Sequence, residues 1–121
     1  MEIKKLAIYL IVMVTFIACK KDTISASSQK SITLKQLYKN FTQGEIDECS
    51  YDGKVVYTAE INAFDASSEI FDEKGVQIGS CNFAWGKPDS ICYHTTNCEV
   101  IYRCEKHISG LPFVDKYGLS K

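Results

Sequence analysis

Hydrophobic and polar positions divide the chain into stretches of different rhythm. Leu6 to Ile17 is a run of twelve almost wholly apolar residues. Residues 20–31 are polar and serine-rich, with one large apolar side chain, Ile24. Such a stretch buries too little surface to fold and reads as a flexible tether. Leu34, Leu37, Tyr38 and Phe41 then recur at i, i+3, i+4 and i+7, which predicts an amphipathic helix over 33–41. Thr33 and Gln36 fit a capping box at its start. So short a helix is marginal alone and needs a surface, so its apolar stripe is expected to cover one face of a sheet.

From Glu45 the period becomes two. Glu45–Tyr51 and Lys54–Phe64 flank Asp52-Gly53, the dipeptide suited to a type I′ hairpin. Val55, Tyr57, Ala59 and Ile61 share one face of the second strand. Ile70-Phe71 and Val76-Gln77-Ile78 bracket Asp72-Glu73-Lys74-Gly75, a second hairpin turn with glycine where positive φ is wanted. Cys98–Cys104 is a last alternating run. Before it, Gly86-Lys87-Pro88-Asp89 breaks the chain, and Asp89 is expected to cap a short helical turn reaching about His94. Ser109–Lys121 reads as an extended strap packing through Leu111, Phe113, Val114 and Tyr117. The fold expected is α+β: a small, mostly antiparallel sheet of four or five strands with one N-terminal amphipathic helix, stapled by disulfides.

Composition adds few constraints. The 121 residues are 45% hydrophobic and 24% charged, with fourteen basic against fifteen acidic side chains. That excludes a wholly disordered chain and a strongly basic nucleic-acid binder, and the length allows one small domain.

The N-terminus carries an address. Lys4 and Lys5 precede the apolar run, whose twelve residues rise about 18 Å as a helix, too short for a bilayer core of about 30 Å. The length suits the apolar segment of a secretory signal. Phe16-Ile17-Ala18-Cys19, with its small residue before cysteine, resembles the lipobox of bacterial lipoproteins. Lys20-Lys21-Asp22 is similar to the polar start of mature lipoproteins of the Bacteroidota type. Glu45–Arg103 also looks like small, cysteine-containing bacterial lipoproteins, a likeness that brings no activity with it. The resemblance implies a signal peptide over 1–18, a lipidated Cys19 and tether over 19–31, and one small globular domain over 32–121. It implies a lipid bilayer as partner and a place in the bacterial cell envelope, at the outer membrane. Each buried methylene of an acyl chain contributes about 0.8 kcal/mol to anchoring, so several chains hold a small domain firmly.

Five further cysteines, Cys49, Cys81, Cys92, Cys98 and Cys104, are then expected to form two bridges and leave one thiol. Sequence leaves all fifteen arrangements open, although Cys98 and Cys104 on one strand stand too far apart to join each other. A rival use of Cys92, His94, Cys98, Cys104 and His107 is a metal-dependent or thiol-dependent enzyme. Their spacing matches no recognised zinc motif, and no serine nucleophile elbow is present. No catalytic residue, metal ligand or cofactor is assigned. Residues 45–73 carry nine acidic side chains against Lys54 alone, read as the solvated outer face of two hairpins. Trp85 is read as shielding a disulfide. Cys49–Tyr57 is similar over nine residues to a stretch of Kazal-type inhibitors but lacks their downstream cysteine spacing. Leu111-Pro112-Phe113 is the loop a protease inhibitor would use. The function expected is a non-catalytic binding or envelope accessory module.

Overall fold

The computed structural model describes residues 25–84 and 86–121. In chain order they form a helix α1 (Ala26–Phe41), strands β1 (Gly44–Tyr51), β2 (Lys54–Ile61), β3 (Ser68–Phe71) and β4 (Gln77–Cys81), a 3-10 turn (Ser90–Tyr93), then β5 (Thr96–Arg103) and β6 (Val114–Asp115). The strands make one antiparallel sheet of six, in the order β4-β3-β2-β1-β5-β6. The sheet exceeds the four or five strands expected. The sixth is a two-residue segment inside the strap, made by the pairs Tyr102–Asp115 and Arg103–Val114.

Helix α1 begins at Ala26, seven residues before the start read from the apolar stripe. Residues 26–31, taken as tether, are its first turns. Ser25 is the N-cap, its Oγ accepting from the Ser28 N–H at 3.3 Å. No glycine or proline interrupts 26–33, so the docked half propagates back to that cap. Thr33 therefore does not cap. It is fully buried in mid-helix, and its Oγ1 donates to the Glu73 carbonyl at 2.7 Å, tying α1 to the β3–β4 turn. Lys30, from the added turns, reaches Glu48 Oε1 on β1 at 2.6 Å and the Tyr117 hydroxyl at 3.0 Å.

Both hairpins form where turn chemistry placed them. Asp52 and Gly53 take φ +50° and +72°, the paired left-handed values of a type I′ turn. In the second, Asp72 Oδ1 accepts from the N–H groups of Lys74 and Val76, and Gly75 takes φ +80°. Gly44 opens β1 against β2 at a distance only glycine tolerates, since a Cβ there would lie 1.9 Å from the Glu60 carbonyl oxygen.

Each face of the sheet buries a cluster. Under α1 lie Leu34, Leu37, Ile46, Tyr57, Ala59, Ile101, Tyr102 and Cys104, with Tyr38, Phe41, Phe71 and Leu119 against them. Val55 and Ile61, expected to share this face, stand exposed at the two ends of β2. The smaller cluster gathers Cys49, Val56, Ile70 and Cys81, flanked by Tyr51, Ile91 and Cys92. It contains the bridges Cys49–Cys98, between β1 and β5, and Cys81–Cys92, between β4 and the 3-10 turn. Among the described residues Cys104 is the unpaired thiol, 3% exposed in the larger core. Asp89 precedes the 3-10 turn as expected, but its carboxylate does not cap it. Oδ2 accepts from the Ser80 N–H at 2.8 Å, and the Asp89 N–H donates to the Ser80 carbonyl at 3.1 Å. The strap packs less closely than expected, with Leu111 and Phe113 about half exposed. Among the described residues no helix is long and apolar enough to cross a membrane.

Candidate functional site

The β1–β2 register sets Glu45 directly opposite Glu60, and the β1–β5 register sets Arg103 opposite Glu45 on its other side. Their neighbours Ile46, Ala59 and Tyr102 point under α1, so by strand alternation the three charged side chains share the opposite face. Like charges directly opposite repel. Arg103 offsets this on one flank: its Nε–H donates to Glu45 Oε2 at 2.7 Å, with both side chains largely buried. Its Nη1 donates to the Pro112 carbonyl at 3.2 Å, which draws the strap across the row.

His107 enters the row from the segment between β5 and β6. That segment is pinned where the Cys104 N–H donates to the Gly44 carbonyl at 2.9 Å. A second pin is the Ile108 N–H, which donates to Asn62 Oδ1 at 2.8 Å. Lys106 and Gly110, at φ +54° and +73°, turn the chain on either side of the histidine. The His107 side chain is 7% exposed, and its two ring nitrogens differ in surroundings. Nδ1 lies 2.7 Å from Ser109 Oγ and 3.2 Å from the Ser109 backbone nitrogen. Nε2 is buried without a hydrogen-bond partner among the described residues and lies on the side of the carboxylates, 3.9 Å from Glu45 Oε2. Glu45, Glu60 and His107 each offer one donor atom, and the three atoms lie within 4.8 Å of one another.

Asp47 stands two residues along β1, on the same face, opposite Thr58. Burial pushes its carboxyl up to about 7, helped by the neighbouring Glu45 and Glu60 and opposed by Arg103. Glu60 is raised by burial and then by Glu45, with His107 acting against both. Burial and neighbouring like charge therefore both disfavour the ionised forms of Asp47 and Glu60, and Arg103 relieves only part of this for Asp47.

Other candidates from the sequence fall elsewhere. Cys92 and Cys98 sit in separate bridges, so neither is a thiolate able to ligate or attack. Cys104 is enclosed by apolar side chains, and His94 Nδ1 lies 2.8 Å from the Ser90 carbonyl. The cysteine–histidine grouping read from 92–107 is thus divided, and only His107 reaches the row. The acidic stretch also divides. Glu45, Asp47 and Glu60 are partly buried in the row, Glu48 pairs with Lys30, and Asp52, Asp65 and Glu73 are exposed. Cys19 and Trp85 lie outside the described residues. Sequence reasoning missed the joining of Glu45 and Glu60 to His107, although half of it was readable. Counting back from a two-residue Asp52-Gly53 loop pairs Glu45 with Glu60. The chain matches no known protein family, no curated protein and no solved structure.

Proposed function

We propose that this chain is an exported lipoprotein of the bacterial cell envelope, acylated at Cys19 and held at the outer membrane. It presents a small non-catalytic binding or accessory domain. The observation that carries the reading is the pairing of four of the five downstream cysteines as Cys49–Cys98 and Cys81–Cys92. Disulfides persist where export delivers a protein and are reduced in the cytosol. The lipobox-like Phe16–Cys19 supplies the matching address. Chemistry through a thiolate at Cys92 or Cys98, the rival role for this region, has no support from cysteines held in bridges.

The test is fractionation of cells expressing the full chain or its Cys19→Ala variant, with intact mass measured on the membrane-bound form. The expected result is a chain beginning at Cys19 that carries acyl mass, and release of the variant from membranes. Retention of Cys19→Ala in the membrane fraction overturns the proposal.

A further inference from the structure

We propose that Glu45, Glu60 and His107 form a binding site for one divalent transition-metal cation, with zinc(II) the best match. The inference stands on the geometry of the row and is independent of how the chain is anchored.

The carboxylates alone would be an ordinary acidic face. His107 changes the reading. A ring nitrogen taken out of water without a partner forfeits a hydrogen bond, and native structures avoid this unless something else meets the atom. Nε2 is such an atom, aimed at two carboxylates that repel each other. A cation between them answers both deficits. Two donors each about 2.1 Å from a tetrahedral metal lie about 3.4 Å apart, so the 3.9 Å from Nε2 to Glu45 is about half an ångström from that spacing. The full set, within 4.8 Å, closes by rotamer adjustments of about an ångström.

The surroundings are those of a held site. Arg103 fixes Glu45 through Oε2, and a carboxylate has lone pairs enough to accept that N–H and still face a cation. On the far side of the imidazole, Ser109 Oγ is placed to accept from a protonated Nδ1 at 2.7 Å. That tautomer leaves the Nε2 lone pair for the metal, as ligating histidines require. It also gives up the other arrangement open to the ring, in which Nδ1 accepts from the Ser109 N–H at 3.2 Å and Nε2 carries the proton. Binding and tautomer are therefore linked. The row sets three carboxyl groups against one guanidinium, so a divalent cation brings positive charge that Arg103 alone does not supply. Imidazole with carboxylates suits zinc and its first-row neighbours better than calcium or magnesium, which take all-oxygen sets. Three protein donors leave one tetrahedral position for water or for Asp47.

The test uses the untagged full chain, stripped with a chelator and desalted, then titrated with zinc(II) chloride by calorimetry. In parallel, ¹⁵N-resolved spectra of the two histidine rings follow the same titration. The expected result is one equivalent bound, with His107 Nε2 moving to the shift of a metal-bound nitrogen and Nδ1 protonated. His94 is expected to stay unchanged. Glu60→Gln and His107→Gln are expected to weaken binding at least tenfold, and His94→Gln to leave it intact. The ring spectra read the unsubstituted chain, so a variant that fails to fold does not blunt the test. No saturable binding up to millimolar zinc overturns the proposal, and so does binding that leaves the His107 nitrogens where they were. Binding lost with His94 rather than His107 overturns it as well.

Discussion

The two disulfides close loops of very different length, and their contributions to stability should differ accordingly. Cys49–Cys98 spans 49 residues and Cys81–Cys92 spans 11. Restricting the unfolded chain by loop closure gives about 4 kcal/mol for the first and about 3 kcal/mol for the second, a gap near 1.3 kcal/mol. Both bridges have a buried end in the smaller core, Cys49 and Cys81. Replacing either pair by alanine therefore removes comparable packing, and the gap survives the comparison. Each double variant removes both cysteines of its bridge and so creates no new thiol, and Cys104, the unpaired cysteine among the described residues, is enclosed. The assay is urea unfolding of the full chain and of the variants Cys49→Ala/Cys98→Ala and Cys81→Ala/Cys92→Ala. For a slope of about 1.5 kcal/mol per molar, midpoints should fall by roughly 3 M and 2 M. A domain of this size is stable by about 5–15 kcal/mol, so either loss is a large share. An equal or larger fall for the 81–92 pair would refute the reasoning. It would place the stabilisation in native contacts around the 3-10 turn rather than in the unfolded chain.

Gly44→Ala forces a Cβ to within 1.9 Å of the Glu60 carbonyl and should separate β1 from β2 at the site end. A loss of about 3 kcal/mol is expected, read as a thermal midpoint at least about 10 °C lower; an unchanged midpoint would mean the strands shift freely there. In chelator, stability should fall as pH rises from about 4 to about 7. Folded Asp47 keeps a proton up to about 7 that the unfolded side chain, at 3.8, has already lost. Asp47→Asn should flatten that slope when urea midpoints are compared at pH 4.5 and 7.5, and an equally steep slope in the variant contradicts the assignment.

Local chemistry was readable wherever a short segment decides its own conformation. Asp52-Gly53 and Asp72–Gly75 announced their turns because φ > 0 and an Asx hydrogen bond are properties of those few residues. The start of α1 was hidden, because Ala26–Ile32 adds turns without adding a buried stripe, and the cap at Ser25 lies among serines that look like tether. β6 was hidden for a related reason: Val114–Asp115 becomes a strand only because β5 is there to pair with it. The choice of Cys49 for Cys98 needs the β1–β5 pairing, which no hairpin loop dictates. The placement of His107 needs Asn62 and Gly44 to hold its loop, two partners distant in sequence. The site was legible as far as a hairpin register reaches and no further.

The bonds from Asp89 to both backbone groups of Ser80 have a consequence beyond the turn they shape. β4 is the outermost strand on its side of the sheet, and an outermost strand offers unsatisfied amides to any passing chain. Here the Ser80 amide and carbonyl are already occupied, and the Cys81–Cys92 bridge keeps the occupying segment in place. At the opposite margin, β6 is only two residues long and offers little to pair with. The short-loop bridge thus guards one margin of the sheet against self-association. Its reduction should reveal itself as aggregation of concentrated protein before it reveals itself as unfolding.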